Sequence, residues 1–206
     1  MAFATIGTAG IQAQSIDLST KVTGTLPVPN GGLGIASGTT GQFLKFTGTE
    51  TLAPATAGIS EVDQWRLTAG ITSNGDVTSN LERCDSTGYS KIGTGMSESS
   101  GIFSFPSTGI YKIKLSIQGY GTSGDNINGY INISLNNFTS SSSVSRTNFS
   151  GVGSYNVSST EYIFDVENIS THKCRFELSS IGGSAEVVGS STQNWTYFTF
   201  IRLGDT

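Results

Sequence analysis

From Ile16 to Val28 the even positions read Ile16, Leu18, Thr20, Val22, Gly24, Leu26 and Val28, and the odd positions read Asp17, Ser19, Lys21, Thr23, Thr25, Pro27 and Pro29. This is period-two alternation, the signature of an extended strand with one apolar edge. Thirteen extended residues span ~43 Å at ~3.3 Å per residue, longer than most strands of a globular domain. Such a strand has almost no companions in its own chain, so it cannot bury its apolar edge alone. Three copies around a common axis would bury it. Pro27 and Pro29 end the run by removing ladder donors, and Asn30-Gly31-Gly32 makes a turn. Gln42 to Phe46 reads as a short strand, and residues 47–60 read as a Thr/Ala/Gly/Pro linker.

Further along, strand patterns recur at intervals suited to a sandwich or jelly roll. Tyr111, Ile113, Leu115 and Ile117 alternate with Lys112, Lys114, Ser116 and Gln118. Ile131, Ile133 and Leu135 are predicted inward, with Asn132 and Ser134 outward. Tyr162, Phe164 and Val166 share one face, and Cys174, Phe176 and Leu178 share another. One-sided strands of this kind belong to antiparallel sheets with one wet face. The stretch Trp195 to Leu203 differs, because it looks apolar on both faces. Its second face needs a cover, and a symmetric oligomer supplies one.

Composition agrees with strands and turns. Charged residues are 13% of the chain, against a usual share of about 25%, while Gly is abundant at 27 residues. Long helices with charged outer faces are thereby disfavoured. Residues 1–60 contain no Trp, Tyr or Cys, whereas residues 61–206 hold both Trp and all seven Tyr. The expected organisation is therefore an extended N-terminal docking or stalk segment over 1–60 and a packed head over 61–206. The net charge is −4 and Lys and Arg are not clustered, which argues against nucleic acid and anionic membrane as partners. No run of 18 apolar residues suggests membrane insertion. The first fifteen residues lack the basic and apolar regions of a secretory signal, so the expectation is synthesis in a host cytoplasm, with residence in the virion and any exit by another route such as host lysis. On that basis Cys84 and Cys174 are expected as buried or half-buried thiols rather than a disulfide. The six N-x-S/T sequons, at Asn132, Asn137, Asn148, Asn156, Asn168 and Asn194, are expected products of an Asn/Ser/Thr-rich composition.

Several longer motifs carry a family likeness. Trp65-Arg66-Leu67-Thr68, Asn74-Gly75-Asp76, Lys91 to Met96, Gly101 to Pro106, Thr108 to Tyr111 and Tyr197 to Phe200 resemble the trimeric jelly rolls of the complement/tumour-necrosis-factor superfamily. They look most like the versions found on bacteriophage structural proteins. The resemblance covers roughly residues 61–206. It implies an all-β antiparallel jelly-roll sandwich, homotrimeric, with the last aromatic strand near the three-fold axis. Gly24 to Gly34 resembles the Leu-Pro-Val-x-Asn-Gly-Gly-Thr-Gly repeat of phage tail fibres, with Leu33 in place of the Thr and a single copy present. That departure fits a short stalk or virion-docking arm.

The expected function is a non-enzymatic trimeric virion protein, a short tail fibre or spike for host-surface attachment. Capsid decoration by the same fold and a fibre-borne glycan hydrolase are the alternatives. Ile16, Leu18, Val22, Leu26, Val28, Trp195, Tyr197, Phe198 and Phe200 are expected at the trimer interface. Phe3, Ile6 and Ile11 are expected to dock other virion proteins. Tyr120, Asp125, Asn126, Asn128 and Arg146 are expected in loops that meet a host glycan or protein. No cofactor, metal or catalytic group is expected. The single histidine, His172, has no nucleophile elbow to serve, and the segment from Asp125 to Gly129 lacks the spacing of a calcium loop.

Overall fold

The computed structural model describes residues 39, 42–48, 51–56, 58–122, 125–151 and 153–206. The alternating stretch from Ile16 to Val28 and the anchors Phe3, Ile6 and Ile11 lie outside the described residues. The chain divides between Gly58 and Ile59 into two units.

In the first unit, β1 (Gln42–Gly48) and β2 (Thr51–Thr56) form an antiparallel hairpin. The linker expected over 47–60 is thus a strand over part of its length. Thr51-Leu-Ala-Pro-Ala-Thr56 has weak strand propensity, and pairing with β1 overrides it. Leu44 and Phe46 share a face with Pro54 and Leu52. Phe43, Leu44 and Phe46 remain exposed on this hairpin.

The second unit has twelve strands: β3 (Val62–Leu67), β4 (Gly75–Asp76), β5 (Leu81–Arg83), β6 (Ser97–Ser99), β7 (Ile102–Ser104), β8 (Gly109–Gly121), β9 (Asn126–Ser134), β10 (Ser142–Ser150), β11 (Ser154–Val166), β12 (Lys173–Ser179), β13 (Glu186–Val187) and β14 (Tyr197–Gly204). They build two antiparallel sheets. One has the order β11-β8-β14-β3-β5, with β13 on β8, and the other has the order β10-β9-β12-β7-β6, with β4 on β12. Most connections cross between the sheets, while β6–β7 and β9–β10 pair within one sheet and β13 and β14 both belong to the other, and the first and last long strands, β3 and β14, lie side by side. This is the all-β jelly-roll sandwich expected from the sequence.

The core is the pair of inner faces. Ile113, Leu115 and Ile117 of β8 are fully buried, opposite Ile127 and Ile131 of β9 and Phe176 and Leu178 of β12. Phe103 is the hub, edge-on to Trp65 at 5.4 Å and to Phe176 at 5.6 Å, and 5.0 Å from Phe200. Edge-to-face rings of this kind add to simple burial because ring edges are positive and faces negative. Gly101 adopts φ +83°, and a Cβ there would meet the Val77 carbonyl at 2.2 Å, so only glycine closes the β6–β7 turn under that carbonyl.

Three expectations for β9 fail. Leu135 lies beyond the strand end and is 59% exposed, while Asn132 and Ser134, both expected outward, are only 3% and 2% exposed. Asn132 stands opposite Arg175 and donates Nδ2 to Glu177 Oε2 at 2.8 Å. Long neighbouring side chains cover it, which period-two reasoning does not anticipate. Where the edge strands β10 and β11 face each other across the sandwich, the inward positions are polar. Ser145 hydrogen-bonds Thr160, and Thr147 hydrogen-bonds Ser158.

Candidate interaction surface

The two outward sheet faces differ in chemistry, and the strand register assigns each residue to its face. On the β9-containing sheet, the outward rows hold Asn148 and Asn128, then Arg146, Tyr130, Glu177 and Asp76. That face is polar, and an Arg175–Asp76 ion pair at 2.8 Å crosses it. On the β8-containing sheet, Tyr155 pairs with Tyr120, Val157 with Gln118 and Ser159 with Ser116. Below these come Glu161 beside Lys114 and Ile163 beside Lys112. β14 extends the lower rows with Tyr197, Thr199 and Ile201.

The upper half of this second face is aromatic. Tyr155 is 64% exposed and Val157 65% exposed, and Trp195 just before β14 is 39% exposed. Tyr120 and Tyr155 sit 5.5 Å apart, and Lys114 Nζ lies 5.7 Å from the Tyr197 ring. The middle rows carry a Lys112–Glu161 ion pair at 2.6 Å. The face is therefore an aromatic zone above a mixed one, rather than the uniformly apolar strand surface expected from Trp195 to Leu203.

Phe198 and Phe200 need correction as interface residues. Both are 1% exposed and point inward, Phe198 against Phe176 at 4.3 Å and Phe200 against Phe103. The chain's own core covers them, so they have no face left for a partner. Trp195 and Tyr197 point outward and keep theirs. The recognition residues also fall differently. Tyr120 belongs to β8, Asn126 and Asn128 to β9, and Arg146 to β10, so these four stand in strands and not in loops. Asp125 shapes the hairpin tip by accepting from Thr122 N at 2.9 Å and Thr122 Oγ1 at 3.0 Å. Asn126 accepts from Ser150 Oγ at 2.8 Å, and Asn128 donates to Ser180 Oγ at 2.8 Å. The turn is shorter than the loop assumed, because β8 runs to Gly121 and β9 begins at Asn126.

Sequence reasoning missed a buried charge cluster that fixes the neighbouring loop. Asp63 occupies an inward position of β3 in phase with Trp65 and Leu67, and is 1% exposed. Its Oδ1 accepts from Gln64 N at 2.9 Å, Tyr89 Oη at 2.9 Å and Arg83 Nε at 3.0 Å. Its Oδ2 accepts from Trp65 Nε1 at 2.9 Å and Met96 N at 2.8 Å. Arg83 also lies 4.8 Å over the Trp65 ring. On the other side of β3, the fully buried Arg66 binds Glu82, Asp85 and Ser86 Oγ, so the β5 segment covers β3's outward face. An acidic residue in phase with two apolar ones was the available signal. Burial and the bond to Asp63 push the Tyr89 phenol up to about 12, with desolvation the larger cause.

The remaining reactive groups are sequestered. Cys84 and Cys174 are both free and buried. Burial pushes both thiols up, Cys174 the more strongly. His172 is 8% exposed and stacks on Phe164 at 5.7 Å, with Nδ1 held by Thr171 Oγ1 at 3.1 Å. Among the described residues no group of three or more His, Cys, Asp or Glu side chains could hold a metal ion.

No family model matches the chain, and no curated protein matches it. Solved structures do. The structure of the Eiger TNF from S. frugiperda superposes with a TM-score of 0.53 at 12% identity, over 70% of this chain and 93% of that one. Murine APRIL at pH 8.5 gives 0.52 at 13% identity, over 69% of this chain and 98% of that one. Murine APRIL at pH 5.0 gives 0.51 at 12% identity with the same coverage. At this identity the likeness is one of fold. The head is a TNF-like jelly roll.

Proposed function

We propose that the chain is a non-enzymatic, homotrimeric structural protein of a bacteriophage particle, a short tail fibre or spike whose jelly-roll head attaches to a host surface. The single observation that carries self-association is the outward face of the β8-containing sheet, where Trp195, Tyr197, Val157, Ile163 and Ile201 are all partly or largely exposed in one chain. Large rings each bury ~150–250 Å² when covered, and leaving several in water is unusual for a soluble monomer. A closed three-fold ring, as the jelly-roll resemblance implies, would cover this face edge to face. The exposed Phe43, Leu44 and Phe46 of the hairpin supply a second apolar surface, since a lone two-stranded hairpin is at best marginally stable in water. The virion location rests on the Gly24 to Gly34 motif and its likeness to fibre repeats. In this reading residues 1–60 form the stalk, Ile16, Leu18, Val22, Leu26 and Val28 pack along the axis, and Phe3, Ile6 and Ile11 seat on other virion proteins. Three heads would multiply weak single-site affinities.

Sedimentation equilibrium of the full chain tests the first half, with a stable trimer expected and a stable single chain fatal to it. Cryo-electron microscopy of the particle tests the second. Density at the tail supports attachment, whereas density on the capsomers supports capsid decoration.

A further inference from the structure

Register gives the β1–β2 hairpin two unlike faces. Leu44 is paired with Pro54 and Phe46 with Leu52, so these four side chains lie together on one face. Phe43 with Ala55 and Lys45 with Ala53 form the other. The first face is uniformly apolar, yet Phe46 is 71% exposed and Leu44 39% exposed. The second carries the ammonium group of Lys45, which is costly to bury.

The size of the apolar face decides how it can be covered. Two paired strands, the shorter running from Thr51 to Thr56, give a patch of roughly 17 Å by 10 Å. That is a fraction of the ~800 Å² per partner that a stable free-standing interface buries. The hairpin therefore cannot hold a separate partner protein from solution. It can hold a partner already tethered beside it, because a short tether replaces the bimolecular step with a millimolar effective concentration. Sister hairpins meet that condition. Only residues 57–61 join β2 to β3, so the chain from Thr56 to Val62 reaches at most ~22 Å at ~3.6 Å per step. β3 in turn belongs to the sheet whose outward face the homotrimer reading places between copies. Three hairpins together also exceed the three or more strands with a shared apolar face that a small sheet needs for stability.

We infer that the hairpin is a second contact between copies, dependent on the first: Leu44, Phe46, Leu52 and Pro54 of three chains pack on one another around the common axis, and Phe43 and Lys45 face outward. The inference rests on the homotrimer reading and adds to it a stated face and a dependence, since the heads hold the hairpins within reach of each other. Phe43 is thereby set apart from Leu44 and Phe46, with which exposure alone groups it.

Cysteine cross-linking of the full chain tests it, because the native Cys84 and Cys174 are buried. Phe46→Cys and Leu52→Cys, oxidised with diamide as the acceptor of the two thiol hydrogens, should each give a covalent dimer within a sedimenting trimer. Two thiols pair near the axis and the third stays reduced. Ala53→Cys, on the other face, should run as a single chain on a non-reducing gel. Adding Tyr197→Ser to Phe46→Cys should abolish the cross-link together with the trimer, and a cross-link that persists without the trimer refutes the dependence. Phe46→Ser should leave the trimer intact and speed tryptic cleavage after Lys45 about tenfold, the scale of one lost ring contact. Unchanged cleavage, equal cross-linking from Ala53→Cys, or none from both Phe46→Cys and Leu52→Cys overturns the face while the trimer stands. If those two thiols also resist a maleimide, another segment of the same chain covers the face, and the inference fails in that way. A parent chain that sediments as a monomer instead defeats the homotrimer reading itself.

Discussion

Tyr89 donates its phenolic hydroxyl to Asp63 Oδ1 at 2.9 Å, joining β3 to the long loop between β5 and β6. The same carboxylate collects Arg83, Trp65 Nε1 and the Met96 backbone N–H. One buried acidic residue thus anchors both ends of the loop from Cys84 to Met96. Asp63→Ala should leave these donors without a partner, and breaking a buried, hydrogen-bonded charge typically costs about 3–5 kcal/mol. Urea denaturation of the variant should show a lower midpoint, and Arg83→Ala should lose less because Arg83 is partly exposed and water can take its place. Equal midpoints for Asp63→Ala and the parent chain would contradict the anchoring role.

Tyr89 also gives the head a pH dependence at the alkaline end. Its folded pKa, raised to about 12 mainly by burial, lies above the unfolded value near 10. A raised acid pKa stabilises the fold fully below the unfolded value and loses that contribution as pH rises through the folded one. Stability should therefore fall between about pH 10 and 12. Tyr111, also shifted up by burial, acts in the same direction. Ultraviolet titration should show Tyr89 and Tyr111 ionising late, the Tyr89 step being absent in Tyr89→Phe.

Much of the head was legible from alternation alone. The inward sets Tyr111 to Ile117 and Cys174 to Leu178 are buried as read, because each strand has one covered face and one wet face. What failed depended on partners remote in sequence. β2 forms only because β1 pairs with it. Asn132 is buried by side chains from another strand. Asp63 draws its donors from residues 83, 89 and 96, which no local pattern joins to it. The run of aromatics in β14 hid its own alternation. Phe198 and Phe200 fall on one side and Tyr197, Thr199 and Ile201 on the other, so rings on both faces were read as one surface.

The cysteines give a simple check of burial. Cys84 Sγ donates to Asn194 Oδ1 at 3.2 Å, and Cys174 is fully enclosed. Raised thiol pKa values and lack of access both suppress thiolate chemistry. Neither thiol should react with an aromatic disulfide reagent in the native protein, and both should react in guanidinium. Rapid modification of Cys174 under native conditions would mean that the β12 core is looser than described.

The corrected orientation of β14 separates two substitutions that a two-faced apolar strand would make equivalent. Phe200 packs against Phe103 inside the sandwich, so Phe200→Ser removes a core ring and places a hydroxyl there. Large-to-small changes of this kind cost about 3–5 kcal/mol, a large part of the ~5–15 kcal/mol that holds a domain folded. The variant should unfold or accumulate as insoluble chain. Tyr197 points outward beside Lys114, so Tyr197→Ser leaves the core intact and removes apolar area only from the proposed contact between copies. It should give a folded protein, with unchanged near-ultraviolet circular dichroism for the buried aromatics, that sediments as a smaller species than the parent. If Tyr197→Ser remains a trimer of undiminished stability, the lower rows of that sheet are not where the copies meet.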